Sequence, residues 1–145
     1  MHARTNTRHI VVHCSATKPS ANIGVVEIRR WHVEDNHWSD CGYHYVIRRN
    51  GRMEKGRAED LAGAHVQGHN HDTVAVCLVG GVDDGGDPHQ NYTDDQYATL
   101  LKLLVTLKKR YPTASVMGHR DFPGVDKACP CFDAKKWYRQ AIGVA

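Results

Sequence analysis

His13, His119 and Cys129 are the residues whose types could share a metal ion. His13 closes the apolar run HIVVH, His119 follows ASVMG, and Cys129 lies ten residues further on, within GHRDFPGVDKACPCFD. That stretch is too rich in Pro and Gly for a regular helix or for core packing, so it reads as a loop leaving a strand end, where binding and catalytic groups are usually mounted. Two imidazoles and a thiolate make a zinc set, and three protein ligands leave the fourth tetrahedral position for water, the arrangement of a hydrolytic site. Against this stands the separation of 106 positions from His13 to His119, which spacing alone does not bridge. Each residue also has a plainer reading: a hydrogen-bonded strand-end histidine, a buried thiol and, for Lys127, a solvated charge. HVQGHNH is a rival metal candidate through His65, His69 and His71, although no cysteine or carboxylate stands at a recognised zinc spacing from them. A disulfide within Cys129-Pro130-Cys131 would be strained.

The elements that must position these residues belong to one domain, residues 1–145, with 41% hydrophobic and 24% charged residues. This is globular composition, and no segment approaches the roughly 20 apolar residues of a membrane span. The N-terminal MHARTNTRHIVVHCSA carries positive charge but only a short apolar run, Ile10 to Val12, so a cytoplasmic start is expected in place of a secretory signal. Five cysteines, an odd number, read as thiols or metal ligands and not as a disulfide framework. A formal charge of +3 without a basic block gives only weak attraction to a polyanion such as nucleic acid or a cell wall.

RHIVVHCSAT predicts a short buried strand, Arg8 to His13, that presents His13 at its end. Val25, Ile28, Trp31 and His32 fall at helical spacing, predicting an amphipathic helix from Val25 to about Asp35. In GYHYVIRRNGRMEKGR, Tyr43, Tyr45 and Ile47 are expected on one strand face, with Asn50-Gly51 as a two-residue hairpin turn. Thr73 to Gly81 reads as a fully buried strand at the centre of the sheet. Thr93 and Gln96 form a capping box, Tyr92 and Tyr97 a hydrophobic staple, and Leu100, Leu101, Leu103, Leu104 and Leu107 an apolar helix face that covers the sheet. Ala114 to Met117 is a strand delivering His119, and Asp133 caps a last helix through Trp137 and Tyr138. Trp31, Trp38, Trp137 and, by default, Tyr43 read as packing aromatics. The fold class is α/β or α+β, a single sheet with helices on its faces.

The segments VVHCSATKPS, GYHYVIRRNG, HVQGHNH, VCLVGGVDD and DKACPCFD give the chain more than composition and periodicity can. From about His9 to Trp137 it resembles the zinc-dependent N-acetylmuramoyl-L-alanine amidases, a family that includes phage endolysins and shares its fold with peptidoglycan-recognition proteins. The resemblance implies a central mixed sheet flanked by helices, a zinc cleft on one side, and one Zn2+ per chain held by His13, His119 and Cys129. It places Tyr43 in GYHY and Lys127 in KACP at catalytic positions, and His65 and Asn70, in a loop like the family's HAxGxN pattern, along the substrate cleft. The implied reaction is hydrolysis of the amide between the lactyl group of N-acetylmuramic acid and L-alanine of bacterial peptidoglycan, causing host lysis. Lys127 would supply a cation to the oxyanion, while Tyr43 would orient water or pass a proton to the leaving amine.

The phage members imply a monomer that accumulates in the host cytoplasm and reaches the wall through a holin-type lesion. They also imply a phage RNA polymerase as a second partner. A regulatory polymerase-binding protein and a cytoplasmic muropeptide-recycling amidase are the alternatives. Cys131 departs from the family loop, which has a small non-thiol residue there, and could compete for the metal. Val66 and Thr73-Val74-Ala75 are conservative changes in the cleft loop and strand.

Overall fold

The apolar runs expected to be strands form the middle of a five-stranded mixed sheet in the computed structural model, which describes residues 1–144. In chain order the elements are β1 (His9–Cys14), α1 (Val25–Arg30), β2 (Tyr45–Ile47), β3 (Met53–Lys55), β4 (Thr73–Leu78), α2 (Asp94–Arg110), β5 (Ser115–Gly118) and α3 (Ala134–Ala141). The strand order is β3-β2-β4-β1-β5. β4 is therefore central, as its fully buried sequence requires. β1 runs parallel to both β4 and β5, β2 runs parallel to β4, and only the β2–β3 pair is antiparallel.

Side-chain alternation divides this sheet into two faces with different tasks. Ile10, Val12, Val74, Val76, Leu78, Tyr45 and Ile47 point to one face and pack on Leu100, Leu103, Leu104 and Leu107 of α2. The other face carries Val11 beneath Val66 and Phe122, and Val46 and Cys77 beneath Val25 and Ile28 of α1. His13 shares the parity of Val11, so it emerges on this second face at the carboxyl end of β1. Crevices outside the carboxyl ends of parallel strands are the usual ligand positions in open α/β sheets.

The α2 capping box is formed: Thr93 Oγ1 accepts from the Gln96 N–H at 3.1 Å, and the Thr93 N–H donates to Gln96 Oε1 at 3.0 Å. Gln96 is fully buried and its amide nitrogen also donates to Val79 O (2.8 Å) and Ile47 O (3.2 Å), which ties the helix start to β2 and the end of β4. The Tyr92 and Tyr97 rings meet edge to face at 5.9 Å, as the staple predicts. Asp133 caps α3 by accepting from the Lys136 N–H at 3.0 Å.

Three local expectations are corrected. The hairpin loop is not a two-residue turn: Gly51 N–H donates to Arg48 O and Arg48 N–H to Arg52 O, which leaves three residues in the loop. Gly51 is left-handed (φ +86°) while Asn50 is not, so this is a type I turn with a glycine bulge. The helix after Val25 is α-helical only to Arg30 and continues through Trp31–Asp35 as a π-helix, its Asn36 N–H reaching back to Trp31 O. Val25 and Ile28 are buried while Trp31 is exposed, so the apolar stripe ends where the π-helix begins. Tyr43 precedes β2 and packs with the Val25–Ile28 cluster, on the opposite side from Tyr45 and Ile47.

Two polar knots brace the framework. The buried Arg57 guanidinium donates to Cys41 O (2.8 Å), Ala62 O (2.8 Å) and Asp40 O (3.2 Å), joining the loop before Tyr43 to the loop before His65. Glu59 accepts from Tyr45, from Arg110 (2.5 and 2.6 Å) and from Tyr111 (2.5 Å). Burial raises its pKa, but the hydrogen bonds from Arg110, Tyr111 and Tyr45 outweigh burial and hold it below the usual glutamate value. A depressed folded-state pKa adds stability above the unfolded-state value, and that stability is lost as pH falls through the folded one. Glu59→Gln should therefore cost roughly 1–2 kcal/mol near pH 7 in urea unfolding. The deficit should shrink toward pH 3; one that stays constant with pH would mean the carboxylate charge is not involved.

Candidate metal centre and cleft

Parallel pairing closes the long sequence separation of the two histidines. Val12 of β1 is in register with Gly118 of β5, so the next residues, His13 and His119, leave adjacent strand ends side by side. Their ring centroids are 4.5 Å apart. Cys129 is brought over the same edge by the loop beyond β5: the Cys14 N–H donates to its Sγ at 3.0 Å, and the Arg120 N–H donates to its carbonyl at 2.8 Å. Gly118 permits this docking, because a Cβ there would lie 2.9 Å from Cδ of Pro130.

One potential ligand atom from each of His13, His119 and Cys129 lies within 4.8 Å of the other two. This donor set fits zinc: two imidazoles and a sulfur, three ligands, and a partly open side. Burial pushes the His13 pKa well below its ordinary value, with His65 and His119 adding to the effect. Burial, then Lys127, lowers His119. Both rings thus keep a lone pair for a metal at neutral pH. The side-chain hydrogen bond with the Cys14 thiol and burial push the Cys129 thiol well up, against the opposing backbone N–H of Cys14, so its thiolate calls for a cation beside it.

The rival readings separate in space. Among the described residues no other group of three or more His, Cys, Asp or Glu side chains converges in this way. His69 packs on Phe122 with centroids 4.9 Å apart, and the half-exposed His71 lies beside Asp72 at 3.7 Å. Cys131 Sγ points to Gly81 O at 3.2 Å and stands outside the cluster.

Tyr43 adjoins His13, and Lys127 shares the cleft lining with His119. The Tyr43 ring lies 5.1 Å from the His13 ring, and burial pushes its phenol well above the ordinary tyrosine value, so the hydroxyl stays protonated. Lys127 lines a cleft of about 770 Å³ together with His119, His65, Asn70 and Trp38. His65 has both ring nitrogens engaged, Nδ1 with His13 Nε2 at 2.8 Å and Nε2 with Thr73 Oγ1 at 2.9 Å. Asn70 Oδ1 accepts from the backbone N–H groups of His65 (2.9 Å) and Val66 (3.0 Å), so it pins the cleft loop. Trp38, read from sequence as packing, is a cleft wall with its ring against His32 at 4.6 Å. Its 37% exposure is the property sequence did not disclose, because the π-helical turn that places it has no periodic signature.

A fold of this kind with a His-His-Cys cleft points to a hydrolase, and comparison with known proteins defines the class. The family model for N-acetylmuramoyl-L-alanine amidase matches residues 3–132. The chain belongs to this amidase family. It is 50% identical to the endolysin of Klebsiella phage KP32 and 49% identical to that of Escherichia phage T7, in each case over 94% of this chain and 89% of the relative. Among solved structures, the N-acetylmuramoyl-L-alanine amidase LysC from Clostridium intestinale shares the fold at a TM-score of 0.80 and 24% identity, covering 97% of this chain and 87% of LysC. Bumblebee PGRP-SA shares it at 0.76 and 19% identity, with 100% and 91% covered. The mixed sheet flanked by helices, like that of the peptidoglycan-recognition proteins, is thus the observed fold. No helix among the described residues is long and apolar enough to cross a membrane.

Proposed function

We propose that this amidase is a phage endolysin that hydrolyses the amide between the lactyl group of N-acetylmuramic acid and L-alanine in bacterial peptidoglycan. The observation that carries the reading is the meeting of His13, His119 and Cys129 beside a cleft that His119 lines together with Lys127. His13, His119 and Cys129 would hold one zinc ion per chain. When bound, zinc supplies Lewis acidity, which makes hydroxide available near neutral pH and polarises the scissile carbonyl. Lys127 offers its ammonium to the negative charge that develops on the carbonyl oxygen. Tyr43 keeps its proton and can orient the attacking water or hand a proton toward the departing amine. Trp38, which lines the same cleft as Lys127, offers a flat apolar wall to the glycan or stem peptide.

We place the protein in the host cytoplasm until a holin-type lesion admits it to the wall, as the high identity to phage endolysins suggests. Contact with a phage RNA polymerase is a separate reading, which a pull-down with the cognate polymerase decides. Digestion of purified murein should release new amino groups without new reducing ends. Reducing sugar in their place would overturn the amidase assignment.

A further inference from the structure

The hydrogen bonds behind His13 continue past the cleft and have a fixed direction. Thr73, fully buried at the start of β4, places its Oγ1 2.7 Å from the carbonyl oxygen of His69. A carbonyl only accepts, so the single hydroxyl proton of Thr73 goes there. The same Oγ1 lies 2.9 Å from His65 Nε2 and can therefore only accept from it. His65 thus carries its proton on Nε2 and leaves Nδ1 bare. That nitrogen is 2.8 Å from His13 Nε2, which must donate, so the lone pair of His13 resides on Nδ1. A metal at His13 demands the same order from the opposite end, since a metal-ligating histidine donates its other ring N–H to a fixed acceptor.

We infer that Thr73, acting through His65, sets the tautomer and orientation of His13 for metal binding; both are positioning residues, and neither touches the substrate carbonyl. The inference rests on the metal reading given under Proposed function and deepens it. The surroundings of His65 suit a fixed relay. Asn70 holds its backbone N–H, and Gly63 leaves room for its ring, since a Cβ at Gly63 would lie 2.8 Å from His65 Cδ2. With both nitrogens engaged, the His65 ring has no hydrogen bond left for a stem peptide. Its closeness to the cleft reflects support of His13 from behind.

The test is a zinc competition titration against a chelating indicator, on wild type, Thr73→Val and Thr73→Ser. Valine keeps the shape and removes the hydroxyl; serine restores it. Zinc affinity should fall about 10- to 100-fold in Thr73→Val, the usual range for loss of such outer support, and return to within about threefold of wild type in Thr73→Ser. Equal affinities in wild type and Thr73→Val, or equal losses in the valine and serine variants, would overturn the relay while leaving the zinc site intact. A wild type that binds no zinc would overturn the metal reading and the relay together. Should Thr73→Val fail to fold, the ring-nitrogen NMR signals of zinc-loaded wild type decide the matter. The relay requires a protonated Nε2 and a bare Nδ1 on His65, and the reverse pattern would refute it.

Discussion

Lys127→Ala is expected to retain one zinc per chain and to cleave murein about 100- to 1,000-fold more slowly than wild type, the cost of removing one preorganised oxyanion donor. Lys127 lines the cleft together with His119, and its ammonium has no lone pair with which to hold the ion. Its ammonium therefore has little to offer the uncharged ground-state amide and much to offer the charge that appears on the carbonyl oxygen. An interaction made only with the transition state lowers turnover and leaves substrate binding nearly unchanged. Metal analysis with steady-state kinetics on soluble muropeptides checks it. A variant that loses its zinc would make Lys127 a structural residue, and one with wild-type turnover would remove it from the reaction.

Tyr43→Phe should keep zinc and folding while turnover falls about 100-fold or more, within the usual range for a positioned proton donor. Phenylalanine preserves the ring that packs with the Val25–Ile28 cluster and against His13. Only the hydroxyl is lost, and burial keeps that hydroxyl protonated, which suits a donor. The pH profile supplies a second check, because the acidic limb should persist in the variant if it belongs to other groups. Turnover within about threefold of wild type would return Tyr43 to a packing role, since general acid–base help is worth far more than that.

How far the sequence alone reaches can be judged residue by residue. β1, β4, α2 and α3 are legible because their signals are local: continuous apolar runs, the Thr93–Gln96 capping box and the Asp133 cap. The joining of His13 to His119 is not local. It depends on β5 returning beside β1 with Val12 opposite Gly118, a pairing set by sheet packing and a long crossover. Residue spacing has no access to such a register, and here the family motifs supplied what periodicity could not. Two-residue alternation puts Tyr43 on the face of Tyr45 and Ile47, whereas the chain at Tyr43 is not yet strand and turns toward α1. The hairpin loop departed from expectation because one left-handed residue, Gly51, suffices where the predicted turn needs two. The Thr73–His65–His13 chain was invisible for a further reason: a buried threonine in a strand looks like any β-branched core residue until its hydroxyl partners are known.

The most direct test of the account measures zinc content and murein cleavage together in wild type and Cys129→Ser. Serine keeps the shape of the side chain but replaces a thiolate ligand with a hydroxyl that holds zinc poorly. Wild type should carry one zinc per chain and release amino groups from murein, and the variant should lose most of both. Full metal content and full cleavage in Cys129→Ser would contradict the His13–His119–Cys129 centre and turn attention to Cys131.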